Sequence, residues 1–284
     1  RIPFSPRTAR LCGSRLAGAW LTPRQDRGAR GGDLAFPRTR RLPMCGAMQN
    51  PFPAPAGPRR REPIFNVPGA LLALIATLAV LHGLRTLMPV RMEVEALYAL
   101  GFVPARYGLA APEMGIGSLL DAGAITATAN FVTYTFLHGD LTHLALNCLW
   151  LAAFGAPVIR RLGTDRFLAL YFLCGAAGAG LHLLLHAASV APLIGASASI
   201  SGMMGAAARF ALAPAPLGYP RERLPLRRLT DSRVLVFVGL WFGLNWLFGT
   251  GAASVVGGGA IAWEAHIGGF VAGLLLMPLF DRAR

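Results

Sequence analysis

The sequence predicts an all-α, polytopic membrane protein: a bundle of six membrane-crossing helices. Three observations lead there. Only 14% of the 284 residues are charged and 54% are hydrophobic, whereas an ordinary soluble domain is about 25% charged. Beyond position 61 the chain breaks into six apolar stretches, most of them near the ~20 residues that a helix needs to cross ~30 Å of hydrocarbon. Arginines gather in alternate connections between those stretches, as they do when positive charge is retained on the cytoplasmic side.

The excess of 27 basic over 13 acidic residues invites a nucleic-acid reading, but its distribution argues against one. Every basic residue is Arg, and 13 of the 27 lie in the first 61 positions. The others sit mostly between apolar stretches, where membrane topology accounts for them. Cys12, Cys45, Cys148 and Cys174 show no CxxC spacing. They read as small hydrophobes rather than as a disulfide framework or a zinc site.

Residues 1–61 are rich in Pro, Gly and Arg, lack apolar periodicity and are expected to be disordered. Met48 is the expected natural start, with 1–47 an upstream extension. No apolar run follows the arginines as a secretory signal requires, and a mitochondrial-type leader is the alternative. The six-helix domain then occupies 62–284, with helices expected at about 65–88, 133–154, 166–188, 194–213, 233–248 and 261–280. The long connection 89–132 is expected to lie outside and to hold interfacial structure of its own.

Arg160, Arg161 and Arg166 lie between the second and third helices, and Arg221, Arg223, Arg227 and Arg228 between the fourth and fifth. The tail carries Arg282 and Arg284, while the connections 189–193 and 249–260 carry no Arg. Both termini are therefore expected in the cytoplasm, which requires an even number of crossings.

In this orientation, polar groups converge, most of them in the outer half of the bilayer and Asn147 somewhat deeper. His138, His143 and Asn147 lie on the second helix, Ser197 opens the fourth, and His266 lies early in the sixth. Such groups are costly in lipid and usually functional. A serine hydroxyl becomes a nucleophile when a neutral imidazole takes its proton. A helix start such as that of Ser197 offers free N–H groups and a positive dipole end, both suited to an oxyanion. His143 and Asn147, four residues apart, share a helix face and present two further N–H donors.

Each group also has a plainer reading. Ser197 is in the position of a helix cap, and the histidines and Asn147 are suited to interhelical hydrogen bonds. His182 and His186 have the spacing of metal ligands, but no HExxH motif is present, so they are assigned to packing. His82 and Arg85 read as interface residues and Arg209 as a residue snorkelling to headgroups. Glu264 faces away from His266 and is not taken as its partner. Small residues (Gly195, Ala198, Ser201, Gly202, Gly205 on the fourth helix; Gly268, Gly269, Gly273 on the sixth) allow close helix approach.

The run His138-Gly139-Asp140-Leu141-Thr142-His143, with Asn147, resembles the second-helix motif of rhomboid proteases. Ile194-Gly195-Ala196-Ser197 resembles their nucleophile segment, and Ala265-His266-Ile267-Gly268-Gly269 their sixth-helix base motif. Gly163-Thr164-Asp165-Arg166-Phe167, with Tyr171 and Cys174-Gly175, is similar to the family's third helix. The resemblance spans about 62–280. It implies a six-helix rhomboid fold and an intramembrane serine endopeptidase that cleaves transmembrane segments of single-pass proteins, without cofactor or metal. Ser197 would be the nucleophile and His266 the base of a dyad, with His143, Asn147 and the Ser197 N–H as oxyanion hole and His138 in support. Two positions depart from the pattern. Ala198 replaces the usual glycine, and Ser201 stands where some members carry an aromatic residue that packs on the histidine. Ser201 is the backup nucleophile.

The implied partners are transmembrane substrates and lipid, with no nucleic acid. The glycine-rich segment 249–260 would form a lid over the dyad, a simple flexible loop being the alternative. The compact six-helix plan favours a bacterial inner membrane over an organellar one. The rival functions are a substrate-binding pseudoprotease, which would need none of the four polar residues, and a transporter, which would carry charges or broken helices along a pathway.

Overall fold

The computed structural model describes residues 67–107, 124–215, 219–247, 249 and 262–281. The chain divides into two units, 1–60 and 61–284, and all described residues belong to the second. The expected disordered segment, the Met48 start and nearly all of the expected lid lie outside the described residues.

The described chain is helical. The helices are α1 (Gly69–Thr86), α2 (Val90–Leu100), α3 (Ala124–Thr133), α4 (Leu141–Trp150), α5 (Ala156–Leu162), α6 (Thr164–Leu185), α7 (Ser197–Ala208), α8 (Ser232–Leu247) and α9 (Trp263–Phe280). A π-helical turn, Leu151–Gly155, joins α4 to α5, so Leu141–Leu162 is one continuous rod. Six helical rods thus fall on the six apolar stretches. Among the described residues, four are long and apolar enough to cross a membrane: Gly69–Thr86, Leu141–Leu162, Thr164–Leu185 and Trp263–Phe280. α8 is apolar and shorter.

α7 differs in kind. Its 12 residues extend about 18 Å, well short of the hydrocarbon thickness, and ten of them are buried. The expected span of 194–213 shortens because the chain enters the bundle through an irregular Ile194–Ala196 segment and leaves the helix at Arg209. A helix buried on every side must be small or apolar all round, and SASISGMMGAAA meets that condition.

Glycines set the spacing around it. A Cβ on Gly269 would strike the Ala198 carbonyl, one on Gly273 the Gly202 carbonyl, and one on Gly205 the Phe270 carbonyl. The α7 and α9 backbones are therefore in direct contact, as small-residue packing in lipid allows. On the other side, a Cβ on Gly202 would strike Cys174 of α6. α6 presents a regular buried face: Phe167, Leu170, Tyr171, Cys174, Gly178, Ala179 and His182. α8 buries only Val234 and Trp241, and meets α9 through Trp241 stacked on Phe270 at 4.0 Å. Its Leu235, Val236, Leu240 and Leu244 face outward, as lipid-facing residues do.

The second helix begins later than expected, at Leu141 instead of about 133. Asp140 caps it, accepting a 2.8 Å hydrogen bond from the His143 N–H. That bond also holds the Asp140 carboxyl below its ordinary pKa. The apolar residues upstream form α3 and a 3-10 turn, Tyr134–Phe136. The connection before them is structured where described. α2 buries none of its residues and exposes Val90, Met92, Val94 and Tyr98. Phe102 bridges Leu193, and Phe102, Tyr107 and Phe131 stack together.

Three polar residues depart from their expected places. His82 and Arg85 are buried instead of interfacial, and Arg85 Nη2 donates to the His138 carbonyl at 2.6 Å and to the Gly139 carbonyl at 2.9 Å. His82 Nδ1 approaches the same His138 carbonyl at 3.2 Å, and Arg85 also pairs with Glu93 of α2. Arg209 does not snorkel. It is buried and donates to the Arg227 and Leu274 carbonyls, both at 2.8 Å. Irregular backbone leaves the His138, Gly139 and Arg227 carbonyls in need of donors, and Pro278, which has no N–H, frees the Leu274 carbonyl inside α9; these side chains supply them.

Candidate active site

Ser197 is the first residue of α7, and its hydroxyl does not act as a cap. Ala196 occupies the N-cap position, and no side chain caps that end. The first N–H groups of α7 therefore have no side-chain cap and carry the positive end of the helix dipole. Ser197 Oγ instead meets His266 Nε2 of α9 at 2.8 Å.

The other nitrogen of His266 settles its tautomer. His266 Nδ1 lies 3.0 Å from Asn245 Oδ1 on α8. Asn245 Nδ2 donates to the Trp241 carbonyl at 3.0 Å, so its oxygen faces the imidazole. An acceptor there places the ring proton on Nδ1. Nε2 keeps a lone pair for the serine proton, the form that a general base requires.

Asn245 was not among the residues named from the sequence. Its signal was a single amide in the otherwise apolar run Trp241-Phe242-Gly243-Leu244-Asn245, costly in lipid unless it serves a partner. Glu264 points elsewhere, as expected, and meets His186 Nε2 at 2.9 Å.

His143 lies beside the residue that precedes Ser197, and Asn147 is one turn further along α4. Gly195, just before the serine, has φ +117°, a conformation suited to glycine. A Cβ there would lie 2.7 Å from His143 Nε2 and 3.8 Å from Ser197 Oγ. The glycine thus admits the imidazole beside the serine. His143 Nδ1 faces the Gly139 N–H at 3.5 Å, which leaves Nε2 to carry the proton and to donate. Asn147 is buried and gives one amide hydrogen to the His143 carbonyl at 2.9 Å; an amide nitrogen carries a second hydrogen.

His138 sits in the turn before α4, not on the helix. It is fully buried, its ring T-stacked on His143 with centroids 5.1 Å apart. Neither of its ring nitrogens has a hydrogen-bond partner among the described residues. Its backbone is the part held by His82 and Arg85.

The entry to α7 is braced from outside. Gly195 N donates to the Tyr134 carbonyl at 3.0 Å, Tyr134 Oη donates to the Gly175 carbonyl at 2.7 Å, and the Phe102–Leu193 bridge holds the strand-like lead-in.

Ala198 is accommodated by a neighbour. Its methyl sits where a Cβ on Gly178 of α6 would lie 2.6 Å away. The extra carbon of Ala198 therefore fills the space left by a glycine on the facing helix. Ser201, one turn into α7, is buried, and the hydrogen bond of His266 goes to Ser197.

Comparison with known proteins agrees with this architecture. The family model described as the rhomboid domain matches residues 126–282. The chain is 27% identical over 169 residues to "Rhomboid-like protease 3" of Toxoplasma gondii, an alignment that covers 58% of each protein. It is 28% identical over 167 residues to "Rhomboid protein 1, mitochondrial" of Saccharomyces cerevisiae, covering 55% of this chain and 43% of that protein. It is 29% identical over 142 residues to "Rhomboid protease GluP" of Bacillus subtilis, covering 50% of this chain and 24% of the relative. The chain thus spans no more than about three fifths of the length of these relatives.

Proposed function

Since the chain belongs to the rhomboid family and is an integral, multi-pass membrane protein with an all-α fold, we propose that it is an intramembrane serine endopeptidase that cleaves transmembrane segments of single-pass proteins through Ser197 and His266. The observation that carries this reading is the 2.8 Å contact between Ser197 Oγ and His266 Nε2, made across 69 positions of sequence. Nothing in helix packing alone calls for it.

In the proposed reaction a scissile peptide carbonyl approaches the α7 N-terminus. Ser197 Oγ attacks its carbon while His266 Nε2 takes the hydroxyl proton. The oxyanion is held by the Ser197 N–H, His143 Nε2–H and the second Asn147 amide hydrogen. The C–N bond breaks as His266 returns the proton to the leaving amine. Water, deprotonated by the same imidazole, then attacks the acyl-enzyme and frees Ser197. His138 supports His143 from behind. No cofactor or metal takes part in this sequence of steps. The arginine distribution supports cytoplasmic termini, and a bacterial inner membrane is the proposed location.

The test is cleavage of a tethered single-pass model substrate in membranes. Ser197→Ala is expected to abolish cleavage and Ser201→Ala to leave it largely intact. If no substrate is cut, and single-pass proteins bind equally with and without Ser197, the chain is a binding pseudoprotease instead.

A further inference from the structure

Away from the dyad, α6 and α9 bring together two imidazoles and a carboxylate. We propose that His182, His186 and Glu264 form a divalent transition-metal site, zinc by the chemistry of its donors, that ties the C-terminal end of α6 to the first turn of α9. The candidate ligand atoms of all three lie within 4.8 Å of one another. Donors held about 2.1 Å from a tetrahedral ion stand roughly 3.4 Å apart, so small side-chain rotations gather them. His186 is the residue that closes α6, its N–H bonded to the His182 carbonyl one turn back, and the two rings are 4.9 Å apart. Glu264 comes from a different helix and completes a two-histidine, one-carboxylate set, a recurrent zinc ligand set.

The backbone holds this set in register. A Cβ on Gly268 would lie 2.7 Å from the Ala177 carbonyl oxygen and 2.9 Å from Leu181 Cβ, and Gly178 packs against the Ala265 carbonyl in the same way. His182 is one turn beyond Gly178, and Glu264 directly precedes Ala265. The contact that fixes the two helices therefore also fixes the ligands, so little ordering is left for the ion to impose.

The hydrogen bonds already present do not satisfy the cluster. His186 and Glu264 pair at 2.9 Å, but His182 is only 9% exposed and its Nδ1 is buried with no hydrogen-bond partner among the described residues. Leaving a buried polar atom unpaired is costly, and an ion shared by all three residues gives the His182 ring a bonded role. The His186 side chain is 44% exposed, which provides an entry path and room for a water as fourth ligand. The site shares no atom with the Ser197–His266–Asn245 chain and does not depend on the protease reading.

The experiment uses the untagged full-length chain in detergent, stripped with chelator and titrated with Co²⁺, then with Zn²⁺ as competitor. One equivalent of Co²⁺ is expected, with the visible absorption of a tetrahedral site that Zn²⁺ bleaches. His186→Ala and Glu264→Gln should each weaken binding at least tenfold, and Zn²⁺ should raise the unfolding temperature of the unaltered chain but not of these variants. His186→Cys at this exposed position should retain Co²⁺ and add an intense thiolate-to-metal charge-transfer band. The proposal fails if Co²⁺ binding is unchanged in Glu264→Gln and His186→Ala. It also fails if His186→Cys unfolds at the ordinary temperature yet shows no such band.

Discussion

Ser197 and His266 are brought to hydrogen-bond distance by the packing of α7 on α9, and Asn245 decides which imidazole nitrogen faces the serine. Asn245→Ala removes a neutral hydrogen bond of about 1.4 kcal/mol at most. It is expected to lower kcat about tenfold with KM unchanged, in steady-state cleavage of the model substrate. A fall in thermal stability with kcat intact would assign Asn245 to packing only. Gly195→Ala places a methyl against the His143 ring in a backbone conformation unsuited to alanine. Loss of cleavage is expected, with a stability cost of at least ~1 kcal/mol measured by thermal unfolding. Ala198→Gly empties the space facing Gly178. It is expected to leave cleavage intact while costing ~1 kcal/mol through helix propensity; a large gain in rate would mean that Ala198 restrains the enzyme. At this scale Ser197, His143, Asn147 and His266 were readable because each is a polar group in an apolar setting. Asn245 had the same signal, but nothing local named its partner 21 residues away.

At the scale of elements, the start of α4 was misplaced because the apolar run continues upstream into α3 and the turn Tyr134–Phe136. Hydropathy does not register the break, although Gly139-Asp140 is a helix-start signal in its own right. Asp140→Ala is expected to cost ~1 kcal/mol by thermal unfolding and to loosen His143, whose N–H the carboxylate holds. The folded-state pKa of Asp140 is depressed. Its contribution is therefore present above the ordinary carboxylate pKa and is lost as the pH falls through the lower folded value, a dependence that Asp140→Asn should remove. The shortness of α7 was hidden for a related reason. A window average sees apolar residues on both sides of Ser197–Ala208 and cannot see where the helix ends. The small residues were a better guide. Gly273→Leu inserts a side chain where the Gly202 carbonyl lies, and should cost more than ~2 kcal/mol or prevent folding, read as loss of detergent-stable protein.

For the whole molecule, the arginine pattern makes a directional prediction. Val190, between α6 and α7, and Arg228, between α7 and α8, are both exposed. With the native cysteines replaced, Val190→Cys should react with an impermeant thiol reagent from outside intact cells and Arg228→Cys only after permeabilisation. The reverse labelling would invert the proposed orientation. The buried Arg209 shows that charge in this bundle is not merely a topology marker, because it holds the Arg227 and Leu274 carbonyls at the end of the central helix.

Composition, apolar run length and charge placement determined that the chain is a helical membrane protein, and three short motifs carried the resemblance to the rhomboid family. These properties are local, or sums over local windows, so they survive in a one-dimensional reading. Tertiary structure alone decided that α7 is a short, buried central helix, that Arg85 and His82 hold the His138 turn, that Asn245 orients His266, and that Glu264 meets His186 beside His182. Each of these depends on a partner many residues away in sequence. Which distant group satisfies a buried donor or acceptor is set by helix rotation and by the contacts that the glycines permit, and neither is written in the spacing of residues along one helix.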